Sequence, residues 1–369
     1  MRLRRLLVRL HLWLGLTLGL VWALQGLTGA ALVFHRELDR WGVNAAAGPM
    51  APVGKLIAAA EAQAGAPVRM LSVADAQGGI LLASYENADG RERTIRLDGA
   101  SARVLDDRAA DAGWRWVYAL HEELLLHDRG ATLIGVSGLW LAAMAATGLW
   151  IGWPKRKAWR AALDPRCWRT GRARRYGWHR LPGLIAAAAL VVIPLAGAAM
   201  ALRPALWSVL ERTTSFRRPY AAKGPLPARI VAPDLALAAA RRAFPDGGFV
   251  RLVAPRPGVP AYVVRVLRPG EIRAWSGTSS VTVDAGTGRV LARYDALAAP
   301  WPNRLFDAAF SIHNGEAGGL AGRVLVMLAG LSLPTLYVTG LLSWARRRRA
   351  AARPVPVLAM DYASAIRTP

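Results

Sequence analysis

The stretch "LHLWLGLTLGLVWALQGLTGAALVFH", residues 10–35, is an almost unbroken apolar run with a histidine near each end, His11 and His35. Inside it only Thr17, Gln25 and Thr28 are polar. As a helix it is long enough to cross roughly 30 Å of hydrocarbon. Arg2, Arg4, Arg5 and Arg9 precede it, as they would a secretory signal. The run is longer than a signal's apolar region of about 7–15 residues, so we read it as a retained membrane helix.

Working outward, three more runs of bilayer length follow, at 131–153, 181–202 and 324–345. They reconcile two facts that usually belong to different proteins, a 54% hydrophobic composition and a formal charge of +24. Basic residues collect at the cytoplasmic ends of membrane spans. The segment 154–180 carries ten Lys and Arg against Asp164 alone, and the last run closes on Arg346, Arg347, Arg348 and Arg349. By contrast, residues 36–129 hold 11 basic and 14 acidic residues. The expected topology is multi-pass, in the cytoplasmic (inner) membrane of a bacterium, with both termini cytoplasmic and the long segments outside. The Arg runs read as topology signals, and no nucleic-acid partner is expected. The one cysteine, Cys167, excludes an internal disulfide framework. No C-x-x-C-H occurs, so covalent haem attachment is excluded as well.

The two halves of the chain resemble each other. "HLWLG" begins at His11 and "HRLPG" at His179; Gly15 and Gly183 follow four residues on, and a "GA" pair follows 18 residues on, at Gly29 and Gly197. "LHEELLLHDRG" holds His121 and "IHNGEAGGLAGR" holds His313, each with a Thr-Gly pair 26 residues later, Thr147-Gly148 and Thr339-Gly340. Outside the membrane, "RTIRLDGASARVL" matches "SVTVDAGTGRVL", each reading as two strands around an Asp/Gly turn, with a helical segment upstream. The expected fold is a mainly α membrane protein with four transmembrane helices, two small extracytoplasmic α+β domains and an internal two-fold repeat. Its parts are transmembrane helix 1 (1–35), the first external domain (36–112), an interfacial helix with transmembrane helix 2 (113–153) and a basic cytoplasmic loop (154–180). Transmembrane helix 3 (181–202), the second external domain (203–305), an interfacial helix with transmembrane helix 4 (306–345) and a basic tail (346–369) complete it.

All six histidines, His11, His35, His121, His127, His179 and His313, fall at or near a membrane edge. An ionisable residue at membrane depth is costly and points to function. A single interfacial histidine has an ordinary structural explanation; four placed by a repeat do not. Topology puts His11 with His179 on the cytoplasmic side and His121 with His313 on the external side, giving two bis-imidazole sites. Thiolate zinc sites lack their ligands here. Two non-covalent, b-type haems fit better, with axial imidazoles from facing helices. Gly15 and Gly183, one turn from His11 and His179, would let a flat macrocycle approach the backbone, although glycines also serve close helix packing. His35 and His127 have no partner in the other half and stand as secondary alternatives. Two such layers, roughly 20 Å apart across the bilayer, would make an electron path.

These motifs carry a family resemblance. "LHLWLG…LTGAALVF", the "LH" before the second span and "IHNGEAGG…TGLLSW" at the fourth resemble the PepSY-associated transmembrane family, also called iron-regulated membrane proteins. "VTVDAGTGRVL" resembles the strand pair of a PepSY domain. The resemblance implies an inner-membrane ferrisiderophore reductase with two b-type haems, His11, His179, His121 and His313 being the axial ligands. Its substrate would be an external ferric siderophore, reduced from Fe(III) to Fe(II) to release the iron. No nucleotide-binding G-x-G-x-x-G is present in the required setting, so the donor would be another protein or a membrane quinol. The alternative is a non-redox PepSY protein that binds or inhibits an external protease or partner. A siderophore permease ranks last, because four spans with few polar residues make a poor pore. Trp114, Trp116, Trp275 and Trp301 are candidates to line a chelate pocket, or to anchor the interface.

Overall fold

In the structure, a computed structural model, the opening run is two helices rather than one straight span. Residues 2–40, 43, 46, 48–74, 79–109, 112–273 and 276–351 are described; Trp275 and the tail after Ala351 lie outside them. Helices α1 (Arg2–Thr17) and α2 (Gly19–Val33) meet at 63°. Thr17 Oγ1 donates back to the Trp13 carbonyl at 2.8 Å, a bond within the helix that favours bending. Gly19, just past the bend, lies so close to Tyr337 that an added Cβ would meet its Cδ2 at 2.6 Å.

The chain continues through α3 (His35–Arg40) and α4 (Val53–Ala64) to four strands, β1 (Val68–Val73), β2 (Ile80–Glu86), β3 (Glu92–Asp98) and β4 (Val104–Ala109). It returns to the bundle through α5 (Ala112–Glu123) and α6 (His127–Gly152). After the short α7 (Trp159–Leu163), α8 (Gly171–Ala201) leads through α9 (Arg203–Thr213) to α10 (Pro233–Ala243). Four more strands follow, β5 (Gly248–Val253), β6 (Ala261–Leu267), β7 (Ser280–Asp284) and β8 (Val290–Tyr294), then α11 (Trp301–His313) and α12 (Gly319–Ala351).

The helix α6, the helix α8 and the stretch Glu316–Arg349 are long and apolar enough to cross a membrane; the bent pair α1–α2 makes a fourth span if counted as one. Their outer faces expose Leu133, Trp140, Ile185, Leu325 and Leu328. Such apolar faces suit lipid and not water. The chain is a membrane protein. Within the bundle the close crossings use small residues, as membrane helices do. A Cβ on Gly26 would strike the Gly330 carbonyl, where α2 crosses α12. A Cβ on Gly138 would come within 3.0 Å of the Pro194 carbonyl, where α6 crosses α8.

The two external α+β units expected at 36–112 and 203–305 do not stand apart. Their strands form one eight-stranded antiparallel sheet in the order β4-β3-β2-β1-β5-β6-β7-β8, joined where β1 pairs with β5. One face is apolar: Leu71, Leu81, Ile95, Leu252, Val264 and Val281 pack against Val53, Leu56 and Ala60 of α4 and Ala236 and Ala240 of α10. Alternation sends the neighbouring residues to the other face. The strand register therefore lines up one row across it: Asp106, Arg96, Leu82, Ser72, Arg251, Arg265, Ser280 and Tyr294. Tyr294 donates its hydroxyl to Asp307 of α11, so this polar face looks toward the helices that enter the bundle.

Two turns show how each half of the sheet is locked. Asp98 Oδ1 accepts the Ser101 N–H and hydroxyl, and Asp284 Oδ1 accepts the Thr287 N–H and hydroxyl. Backbone N–H groups, led by Ala46 and Ser101, hold the Asp98 carboxyl down to about 2. The matched residues Ala102 and Gly288 both take left-handed backbone, with φ of 65° and 72°.

Candidate functional site

The structure brings the four repeat-placed histidines together in two pairs at opposite ends of the bundle. His11 on α1 and His179 on α8 have ring centroids 6.3 Å apart, with ring planes at 88°. His121 on α5 and His313 on α11 have centroids 5.9 Å apart, at 49°. The second pair is at the sheet end, because α5 and α11 connect the sheet to the bundle. Two imidazoles bonded to one metal at about 2 Å each would place their centroids roughly 6 Å apart.

Each ring rests on a glycine of a neighbouring helix. A Cβ on Gly29 would lie 2.9 Å from His121 Cε1, and on Gly197, 2.7 Å from His313 Cε1. A Cβ on Gly148 would lie 2.8 Å from His11 Cε1, and on Gly340, 3.5 Å from His179 Cε1. Three of these glycines follow a threonine: Thr28-Gly29, Thr147-Gly148 and Thr339-Gly340; the fourth is Ala196-Gly197. The small residue makes room for the ring; in three of the four the threonine before it, or a nearby carbonyl, also binds Nδ1, while His11 Nδ1 is buried without a partner.

Those hydrogen bonds fix the tautomer. His313 Nδ1 lies 2.8 Å from the Ile193 carbonyl and His179 Nδ1 lies 3.1 Å from the Leu336 carbonyl. A carbonyl only accepts, so Nδ1 carries the proton in both and Nε2 keeps a free lone pair. His121 Nδ1 is 3.0 Å from Thr28 Oγ1, whose own proton goes to the Leu24 carbonyl. Thr28 therefore accepts from His121, leaving Nε2 again free. Such outer hydrogen bonds orient metal-ligating histidines and raise their basicity.

Gly15 and Gly183, expected beside the cytoplasmic-side histidines, pack instead against the residues behind the rings. A Cβ on Gly15 would meet Met144 Cε at 3.0 Å, and on Gly183, Leu336 Cδ2 at 3.5 Å. The glycines that meet the rings are the "GA" and Thr-Gly ones. The sequence signal was their recurrence at fixed distances from the histidines.

His35 has both ring nitrogens engaged. Nδ1 donates to the Leu32 carbonyl at 2.6 Å, and the Tyr118 hydroxyl lies 2.8 Å from Nε2. Trp114 packs edge-on against the same ring. His127 is exposed and takes left-handed backbone, with φ of 52°. In the repeat it stands where Gly319 stands, which is left-handed as well. Trp116 is exposed. Trp301 lines an external pocket of about 340 Å³ with Ile272, Leu297, Arg304 and Asp307.

A porphyrin iron fits the donor sets. The tied-back Nδ1 atoms leave Nε2 free on His121, His313 and His179, both ring separations suit two imidazoles on one iron, and no group of three or more His, Cys, Asp or Glu side chains able to hold a bare metal occurs among the described residues. Two axial nitrogens suffice only when a macrocycle fills the equatorial plane.

The sequence model of a family described as PepSY-associated TM region matches residues 8–347, a span that holds both histidine pairs. No curated protein matches the chain.

Proposed function

Because the chain belongs to the PepSY-associated TM region family, we propose that it is a dihaem b-type electron-transfer protein of the bacterial inner membrane. It would reduce an extracytoplasmic ferric siderophore from Fe(III) to Fe(II) and so release the iron. In this reading the two halves are repeats of one plan, a membrane helix, a PepSY-like α+β unit and a second membrane helix, with both termini cytoplasmic. The observation that carries it is the pairing of the histidines, 6.3 and 5.9 Å between centroids, with Nδ1 tied back in three of the four. When bound, a porphyrin iron supplies one-electron chemistry at each end of the bundle.

The chain's own residues would hold each ring and keep water out. His11 and His179 would bind the iron nearer the electron donor, a cytoplasmic protein or a membrane quinol. His121 and His313 would bind the one nearer the sheet and the chelate. With two imidazoles committed to each iron, the site would favour electron transfer over oxygen chemistry. Reduction with dithionite followed by addition of a ferric siderophore tests the activity. Reoxidation of the protein together with formation of Fe(II) is expected. Haems that stay reduced with every ferric chelate tried would remove the substrate assignment.

A further inference from the structure

The polar face of the sheet carries a group of arginines that the electron path does not use. Arg251 and Arg265 are directly opposed on β5 and β6. Like charges so placed are destabilising. Both are half-buried, and among the described residues neither guanidinium makes a hydrogen bond or an ion pair within 4.0 Å; Arg251 Nε is a buried donor without a partner. Arg273 stands beside them with its guanidinium 5.1 Å over the Phe310 ring and its Nε donating to the Asp307 carbonyl. Burial, then mutual repulsion, pushes the Arg251 guanidinium below its ordinary range. An arginine stays protonated all the same, so the protein bears the cost of the unpaired charge.

Acidic side chains are nearby but turned to other tasks. Asp307 takes the Tyr294 hydroxyl, and Glu271 accepts the Thr278 and Ser279 N–H groups. Glu316 takes the Asn314 amide on Oε1, while its Oε2 is buried without a partner. Arg251 and Arg265 therefore present free donors in the layer between sheet and bundle, with the partly engaged Arg273 beside them.

That layer is the one above the His121–His313 pair. Phe310, beneath Arg273, is one helical turn from His313 on α11. Arg36, which feels the charge of Arg251, sits on α3, just past the helix that supplies Gly29. A porphyrin held by that pair would carry two propionates, charged groups that need a polar, cationic setting.

We infer that Arg251, Arg265 and Arg273 form a carboxylate-binding site beneath the sheet, and that the carboxylates it takes are the propionates of the porphyrin held by His121 and His313. The inference rests on the dihaem reading and deepens it: the external sheet is a clamp on one cofactor. Guanidinium forks match carboxylates in paired, charge-assisted bonds.

The test compares Arg251→Gln, Arg265→Gln and the double variant with wild type and with Arg69→Gln, which removes an exposed arginine paired to Glu86 on β1. Full-length protein in detergent is loaded with haem, and its release to excess apomyoglobin is followed. The double variant should release one haem of the two about tenfold faster or more, since each charge-assisted bond contributes on the order of 1.4 kcal/mol or more. The second haem and Arg69→Gln should match wild type. The midpoint potential of the faster-leaving haem should fall, because lost positive charge favours the oxidised iron. The haem-free double variant should melt above haem-free wild type, because two unpaired, half-buried and mutually repelling charges are gone. Wild-type release rates for both haems in the double variant would overturn the inference. So would wild-type release with selective loss of ferric citrate binding, which would give the arginines to an incoming chelate. A wild-type protein that takes up no haem would instead remove the dihaem reading itself.

Discussion

Gly197→Ala is the sharpest local test of the ring platforms. The new Cβ would lie 2.7 Å from His313 Cε1 and 2.9 Å from its Nδ1. Ordinary carbon contacts begin at about 3.5 Å, so the ring must withdraw by roughly 0.8 Å. That movement strains the 2.8 Å bond from Nδ1 to the Ile193 carbonyl. Overpacking of this kind costs about 1–3 kcal/mol, and the lost hydrogen bond about 1 kcal/mol. Alanine in a helix interior returns about 1 kcal/mol relative to glycine. The net expectation is a loss of about 1–3 kcal/mol. Gly340→Ala is the internal comparison, because its Cβ would sit 3.5 Å from His179 Cε1, at ordinary contact. It should keep the helix gain of about 1 kcal/mol without the penalty. Thermal unfolding of both purified variants in one detergent measures the difference. If Gly197→Ala melts at or above Gly340→Ala, the His313 ring does not lie on Gly197 and the platform argument fails.

Other expectations follow from residues outside the rings. His127→Gly should stabilise the protein by about 1–2 kcal/mol, because the left-handed backbone suits glycine and the 3.9 Å contact of its Nδ1 with Glu123 is at an exposed side chain; the same melts check it, and a fall in stability would show that the Glu123 contact outweighs the backbone strain. Gly288→Ala should cost about 1 kcal/mol although nothing lies within 4 Å of its Cβ, because the strain is in the backbone. Asp98 contributes stability that is present above its ordinary value of 3.8 and is lost as pH falls through about 2. Asp98→Asn should therefore lower stability at neutral pH by on the order of 2 kcal/mol and flatten the acid side of the profile. A profile between pH 5 and 2 that matches wild type would contradict this assignment.

Much of this arrangement is legible in the sequence because spacing carries it. The intervals from histidine to glycine and from histidine to Thr-Gly survive folding, since a helix converts interval into face and height. What the intervals omit is which helix lies opposite. Gly15 is a turn from His11 on its own helix, yet the glycine under the His11 ring is Gly148 on α6. The bend at Leu18 was likewise out of view, because a Thr17 side chain bonding its own helix leaves the apolar pattern intact. The sheet is a third case. Alternation identifies the strands but says nothing of the β1–β5 edge that joins them, and Arg251 and Arg265 become neighbours only through the β5–β6 register. Read along the chain, each is one more arginine in a basic protein.

The central claim is that two histidine pairs each hold one b-type haem. Haem stoichiometry and reduced-minus-oxidised visible spectra of wild type, His11→Ala and His313→Ala measure it most directly. The account predicts two low-spin b-type centres per wild-type chain, with His11→Ala and His313→Ala each losing one and leaving the other unchanged. A colourless wild-type protein from haem-replete cells, or both centres surviving in both variants, would contradict it.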